Sequence, residues 1–496
     1  MSVSGREIEK VLKAVPRQLW IGGSWVDTAT TFEVEDPATG GSLISIADAN
    51  PEQGIAALDA AVEAQPSWSA TDPRKRGEIL RRAFELLVQR EDEIALLMTL
   101  EMGKPLAEAR AELNYGAEFL RWFSEEAVRI AGRYTIAPSG GTRLLTMKQP
   151  VGPVYAITPW NFPLAMGTRK IGPALAAGCT VVIKPAAQTP LTTLAFAAIL
   201  AEAGLPGGVV NVITTSTSSK VSGPIIADSR LRKLTFTGST EVGRRLIEQS
   251  ARRVLKTSME LGGNAPFLVF ADADIDAAVD GAMLAKMRNV GEACTAANRF
   301  LVHASVAEEF SSKFAARMSE LRVGRGIEDG VNVGPLIDQT AIDKVTELVA
   351  DATDRGADVL TGGEALAGPG HFYSPTVLSG VPKQARVFRE EIFGPVAPIT
   401  VFSDDDEGMA LANDTEFGLV AYAFTQSLSR AIRVAEGLQT GMVGLNQGIV
   451  SNPAAPFGGV KASGLGREGG TEGIEEYLET KYVGIGLLDA ADKASL

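Results

Sequence analysis

CTVVIKP (179–185), TTLAFAAILAEAG (192–204) and GVVNVIT (208–214) follow one another in the chain. The first and third runs are short, apolar and rich in β-branched residues. The middle run carries apolar residues at helical spacing and ends in AGLPGG (203–208), a helix stop. Strand, helix, strand at this length describes a parallel pair with a crossover helix. The pattern extends both ways. GPVYAIT (152–158) precedes it, and RKLTFTG (232–238) with the helical STEVGRRLIEQSA (239–251) follows. A second series begins at LGGNAPFLVF (261–270). It continues through a helix over 274–290, a strand over 299–303, a helix over 305–320, and strands at 375–381 and 397–402. The fold class is therefore α/β, with two lobes and residues 255–265 passing between them. Residues 55–130 read as long helices. Two β runs belong to neither series: GRYTIAPSGGTRLLTMKQP (132–150), which alternates like a hairpin, and ETKYVGIGLL (479–488). Strands that leave their own lobe often pair with another subunit.

Composition narrows the function. The chain has 496 residues, 60 acids against 47 bases and a net charge of -13. No basic stripe is present to displace counterions from phosphates, which argues against a nucleic-acid partner. No apolar run approaches membrane-spanning length, so no membrane partner is expected. The N-terminal twenty residues mix acids with bases and resemble no secretory signal. With two cysteines there is no disulfide framework, and a reducing, cytoplasmic setting is expected. His303 and His371 are the only histidines, so a metal site built on several histidines is excluded and no metal is expected. A catalytic cysteine in this chain would more readily use a carboxylate as its base.

Several short motifs carry candidate chemistry, and each admits a structural reading. Cys294, in NVGEACTAANRF (289–300), sits in a polar stretch that suits a loop at a helix end, and is either a nucleophile or a packed thiol. Cys179, in an apolar run, reads as a small hydrophobe. Asn161, in TPWNFP (158–163), could donate to an oxyanion or satisfy its own turn. FTGSTEVG (236–243) opens a helix with small residues, as a pyrophosphate site or an ordinary strand–helix turn would. Lys184 in VVIKPA stands at a carboxyl strand end, where ligands of open sheets bind, or is simply solvated. Glu260 in MELGGN (259–264) could activate water or be structural. Glu391 and Phe393 in EEIFGP (390–395) could meet a ribose or close a strand end.

The order and character of these motifs resemble the aldehyde dehydrogenase superfamily, from LWIGGSWV (19–26) to KYVGIGL (481–487). Finer features, GTRKIGPALAAGCT, MELGGNAPF, RNVGEAC and PFGGVKASGLGREG, resemble bacterial succinate-semialdehyde dehydrogenases. The resemblance implies two Rossmann-like lobes plus a small β oligomerisation element. Residues 1–131 and 151–262 would bind the dinucleotide, 263–470 would form the catalytic domain, and 132–150 with 479–496 would oligomerise, giving a homodimer or homotetramer. It implies Cys294 as nucleophile, Glu260 as base and Asn161 as oxyanion donor. It places the adenine ribose on Lys184, the pyrophosphate on Ser239 and Trp160, and the nicotinamide ribose on Glu391, with Phe393 beside the nicotinamide. Gly238 and Leu261 fall within the same cofactor motifs.

For the substrate, the resemblance points to a small aldehyde bearing a distal carboxylate. Arg169 lies eight residues after Asn161, and Arg288 six before Cys294. A guanidinium matches a carboxylate bidentately and stays charged. Arg169, Arg288 and Ser451 match family positions for succinate semialdehyde, with Phe162 and Phe457 as apolar neighbours. Glutarate semialdehyde or a broader range of aldehydes is the alternative, and a catalytically silent binding relative a further one. Two departures stand out. Many NAD-preferring relatives carry a glutamate where this chain has Ala187, so NADP is expected to be accepted and preferred over NAD. A glutamine usually stands two residues before the cysteine. Here Glu292 does, and if ionised close by it would disfavour the thiolate.

Overall fold

The computed structural model describes residues 3–486. Its first sheet has eight strands. Five are parallel, in the order Lys256–Glu260, Lys233–Thr237, Val154–Ile157, Val181–Lys184, Val210–Val212. The opening sequence folds as expected. Val181–Lys184 is buried along its whole length, and helix Leu191–Glu202 follows it. Glu101, from another helix, accepts the N–H groups of Leu191 (2.7 Å) and Thr192 (3.0 Å), which an α-helix leaves unpaired at its start. Gly204 (φ 92°) takes the left-handed conformation just beyond the helix.

Antiparallel strands close both edges of this sheet. Leu19–Ile21 and Ser24–Val26 flank Val210–Val212, and Gly464–Leu465 pairs with Lys256–Glu260. Chain order reverses between Val154–Ile157 and Lys233–Thr237. Ligands of open parallel sheets bind at such a switch point, outside the carboxyl strand ends. TPWNFP and FTGST occupy those two ends.

The second sheet has seven strands. Its order is Asp358–Thr361, Thr376–Ser379, Val396–Phe402, Ala297–His303, Ala265–Val269, Val420–Phe424, Met442–Leu445, parallel except for the first pair. Here the cleft faces the amino ends: Cys294 lies just before Ala297, and Glu391 and Phe393 just before Val396. One sheet thus presents carboxyl ends and the other amino ends to the same space. Each sheet is packed by its own apolar core, around Leu97, Phe123 and Ile171 in one case and Phe267, Phe300 and Phe310 in the other.

The two unplaced β runs pair with each other. Arg133–Ile136, Thr142–Pro150 and Leu478–Gly486 form a three-stranded antiparallel sheet, whose register runs from Leu478 opposite Pro150 to Gly486 opposite Thr142. Tyr134, Ile136 and Tyr482 are about 60% exposed on it. Residues 487–496 of the expected oligomerisation segment lie outside the described residues. Between 55 and 130 the helices are Pro51–Ser69, Pro73–Gln89, Glu91–Met102 and Leu106–Glu126. No helix among the described residues is long and apolar enough to cross a membrane.

The helix expected over 274–290 ends early, at Met287. A 3-10 turn follows in which Asn289 (φ 54°, ψ 44°) and Val290 (φ 54°, ψ 24°) are left-handed, as is Gly291 (φ 79°). Consecutive left-handed residues cannot continue an α-helix. A β-branched residue there is strained by about 1–3 kcal/mol and persists only where neighbours hold it.

Candidate active site

The passage between the sheets sets the site. Glu260 ends one strand and Ala265 begins another, leaving Leu261 to Asn264 to cross. No side chain fits at the crossing glycines. A Cβ on Gly262 would stand 2.8 Å from Glu391 Oε2, and one on Gly263 2.5 Å from the Cys294 carbonyl. Gly263 donates its N–H to Glu391 Oε1 (3.0 Å). Asn264 donates to the Phe388 carbonyl (3.1 Å) and accepts from Asn298 (2.8 Å). The nucleophile segment, the Glu391 segment and the end of the first sheet therefore close on a single point.

A cavity of about 490 Å³ opens there. Its wall holds Asn161, Glu260 and Cys294, and also Trp160, Gly238, Ser239, Leu261, Glu391 and Phe393. Cys294 is partly exposed, whereas Cys179 is buried, its thiol donating to the Tyr477 carbonyl (3.3 Å). Burial pushes the Cys294 thiol up to about 12, opposed by Arg169 and Arg288. Both carboxyl oxygens of Glu260 are buried without a hydrogen-bond partner. Burial, and then the charge of Glu468, hold Glu260 well above the usual carboxyl range. A thiol and a carboxyl that burial biases towards their neutral forms thus line one cavity. Asn161 Nδ2 donates to the Glu292 carbonyl (2.9 Å), while its own carbonyl accepts from Lys104 (2.7 Å) and Asn289 Nδ2 (3.1 Å). The amide sits in a rigid frame, as a preorganised oxyanion donor requires.

The cofactor side fits a dinucleotide. Ser239 caps helix Thr240–Ala251, and Gly238 brings bare backbone to a helix N-terminus suited to a pyrophosphate. Trp160 and Phe393 meet edge to face at 5.4 Å, forming an aromatic wall. Burial raises Glu391, and Lys344 and Lys286 oppose it. Lys184 and Ala187 lie outside the cavity wall. Lys184 is buried, and that burial lowers it to about 8 while Nζ donates to the Pro185 carbonyl (2.9 Å). Ala187 is partly exposed. Sequence reasoning missed Thr237, although it lies within FTGSTEVG, and also Ile337, Asp338, Thr340, Ala341 and Lys344, whose segment carries no motif; all six line the cavity. It also missed Lys286, wholly buried with Nζ unpartnered. Among the described residues no cluster of three or more histidines, cysteines and acids could hold a metal ion.

On the substrate side the two arginines differ. Arg288 is partly buried, donates to Ser451 Oγ (3.1 Å) and lies 4.9 Å from the Phe162 ring centroid and 5.4 Å from that of Tyr115. No carboxylate among the described residues lies within ion-pair distance of it. Phe162 belongs to a small apolar cluster with Met166, Ala293 and Ala296, against which Tyr115 packs. Arg169 departs from expectation. It is fully buried in helix Ala165–Ala177, and its Nε donates to Glu468 Oε2 (2.7 Å). Lys170 binds the other oxygen of that carboxylate (2.6 Å). Burial opposes the Glu468 charge, yet Arg169 and Lys170 outweigh it and hold the carboxyl at about 2. Arg169 also stacks on Phe457, 3.9 Å from the ring centroid. Its guanidinium is already matched by a carboxylate of the chain itself.

The concern about Glu292 is answered by its direction. Its Oε1 accepts the Ile337 N–H (3.1 Å), and Oε2 is buried without a partner. Burial first, then Asp338, raise the carboxyl well above its usual range, which favours its neutral form in the fold. Below the unfolded carboxyl value, near ~4.3, both states are protonated and the stabilisation is complete. As pH rises, the unfolded chain ionises while the fold stays protonated, removing up to about 1.4 kcal/mol per pH unit until the folded value is reached. Glutamine does not titrate. Thermal unfolding of Glu292→Gln and the parent at pH 5 and pH 8 is expected to show the variant's advantage growing with pH. A constant difference would mean that Glu292 is ionised in the fold.

With this geometry in place, relationships to known proteins can be stated. Residues 25–483 match the model of the aldehyde dehydrogenase family. The chain is 60% identical to a succinate-semialdehyde dehydrogenase of Paenarthrobacter nicotinovorans over 443 residues, 89% of this chain and 98% of the relative. It is 50% identical to a glutarate-semialdehyde dehydrogenase of Pseudomonas putida, over 94% of this chain and 97% of that one. The crystal structure of an NADP-dependent enzyme from E. coli superposes with a TM-score of 0.94 at 49% identity, covering 98% of this chain and 100% of the other. The match over residues 25–483 and the identity of 60% to a relative covered over 98% of its length show that the chain belongs to the aldehyde dehydrogenase family.

Proposed function

We propose that the enzyme oxidises succinate semialdehyde to succinate, preferring NADP and accepting NAD. Arg288 carries this reading. It is a partly buried guanidinium beside the nucleophile loop, framed by Phe162, Tyr115 and Ser451, and without a carboxylate partner of its own. Such a group selects an aldehyde with a distal carboxylate. Arg169, already paired with Glu468, adds positive charge at the site, so the direct grip rests first on Arg288 and Ser451. The name of the Paenarthrobacter relative agrees with this substrate. The Pseudomonas relative's name favours glutarate semialdehyde as the second reading, because one methylene in a pocket changes discrimination by only ~1–3 kcal/mol.

The mechanism follows from the site. The Cys294 sulfur adds to the aldehyde carbon as its thiol proton passes, directly or through water, to the ionised form of Glu260. The Asn161 amide and the Cys294 backbone N–H stabilise the oxyanion of the thiohemiacetal. NADP, when bound, supplies the hydride acceptor that turns the thiohemiacetal into a thioester. Ser239 and Trp160 would hold its pyrophosphate, Lys184 the adenine ribose, Glu391 the nicotinamide ribose, and Phe393 would pack beside the ring. Glu260, once it has released that proton to solvent, removes a proton from the water that attacks the thioester carbon; the C–S bond breaks, succinate leaves and the Cys294 sulfur takes a proton back. Residues 1–131 and 151–262 would serve the dinucleotide and 263–470 the chemistry. The sheet formed by 132–150 and the strand Leu478–Gly486, with exposed Tyr134 and Tyr482, would join subunits into a homodimer or homotetramer, and the free thiols suit a reducing cytoplasm.

Arg288→Ala is expected to lower kcat/KM on succinate semialdehyde by about 10- to 150-fold, the value of a hydrogen bond to a charged group, and to affect butanal far less. Equal losses on both aldehydes would remove Arg288 from substrate recognition. For the cofactor, Ala187→Glu is expected to lower the NADP-to-NAD ratio of kcat/KM by roughly tenfold, through repulsion of the 2′-phosphate. An unchanged ratio would place discrimination elsewhere.

A further inference from the structure

We propose that Glu108 is a positioning residue for the reacting end of the site, holding the left-handed turn that joins Arg288 to Cys294. Three facts converge on it. The turn 289–291 is left-handed at two consecutive residues other than glycine, so its shape must be imposed from outside. Glu108 Oε2 accepts the backbone N–H of Asn289 at 2.7 Å, across 181 residues of sequence. The contact comes from a separate helix, so it ties the turn to an element outside its own segment.

The surroundings give this contact a wider reach. Lys104 stands just before helix Leu106–Glu126, and Glu108 and Glu112 follow at four-residue steps on its first two turns. Lys104 donates to the Asn161 carbonyl (2.7 Å) and pairs with Glu112. Glu112 accepts the N–H groups of Leu164 (3.0 Å) and Ala165 (3.2 Å). The same stripe therefore frames the oxyanion turn through Lys104 and Glu112, and the nucleophile turn through Glu108. Asn289 Nδ2 closes the frame by donating to the carbonyls of Asn161 (3.1 Å) and Glu292 (3.0 Å). Glu108 also stands close enough to Arg288 to feel its charge, although burial raises the Glu108 carboxyl to about 7. This last effect rests on the reading of Arg288 as the receptor of the substrate carboxylate; the hold on the turn does not.

Three variants test the proposal: Glu108→Gln keeps an acceptor of the same length, Glu108→Asp withdraws it by one methylene, and Glu108→Leu removes it. Two readouts are taken on each folded variant: kcat and KM on succinate semialdehyde and butanal, and the rate at which iodoacetamide alkylates Cys294 without substrate. Glu108→Leu and Glu108→Asp are expected to lose about tenfold or more in kcat on both aldehydes, with a changed alkylation rate. Glu108→Gln is expected to recover kcat on butanal and the alkylation rate to within about threefold of the parent, because it restores the bond to Asn289. Should Leu fail to fold, the Asp and Gln pair decides alone. Parent-like kcat and alkylation in Leu or Asp would overturn the proposal, and so would Gln behaving no better than Asp. Failure of the substrate reading would appear separately, as a parent enzyme that does not distinguish the two aldehydes, and would leave the alkylation result standing.

Discussion

Gly262 and Gly263 stand where one sheet hands the chain to the other, and no side chain fits at either. Everything chemical in the protein is arranged around that crossing. Because Gly262 lies against Glu391 and Gly263 against the Cys294 carbonyl, the cofactor carboxylate and the nucleophile are brought to the end of the strand that carries Glu260. The first sheet contributes carboxyl ends and the second amino ends, so loops from both lobes fill one cleft. A bulkier crossing would separate the lobes by the thickness of a side chain. The oxyanion donor, the thiol and the base would then no longer share a cavity.

The same closeness explains the electrostatics. Burial disfavours charge on Cys294 and Glu260 alike; Arg169 opposes it at both, and Arg288 at the thiol. Behind them lies a charge cluster with a positive excess, Glu468 held ionised between Arg169 and Lys170. That cluster lowers the thiol through Arg169 and raises Glu260 through Glu468.

Much of this was legible in the sequence, and the reason is local. Strand–helix–strand alternation is written in consecutive residues, so the series from 152 to 251 and Cys179 as a packed thiol could be read directly. The motifs around Asn161, Glu260, Cys294 and Glu391 are short segments whose character survives without the fold. What stayed hidden depends on long-range contact. Nothing near Arg169 announces Glu468, 299 residues away, as its partner. Nothing near Asn289 announces Glu108. The helix after 274 was read too long because its periodicity runs on past Met287, while its end is set by a turn that other segments hold in place. Lys344 was missed for a like reason, since it sits on an ordinary helix whose first turn happens to line the cleft.

The central claim is that Cys294 carries the acyl group and Glu260 releases it. Its most direct measurement is a single-turnover experiment on Glu260→Gln, mixed with NADP and succinate semialdehyde, quenched in acid and digested for mass spectrometry. The account predicts a burst of NADPH equivalent to the active chains, slow turnover thereafter, and a succinyl group on the peptide containing Cys294. Sustained turnover at the parent rate, or an acyl group on any other residue, would contradict it.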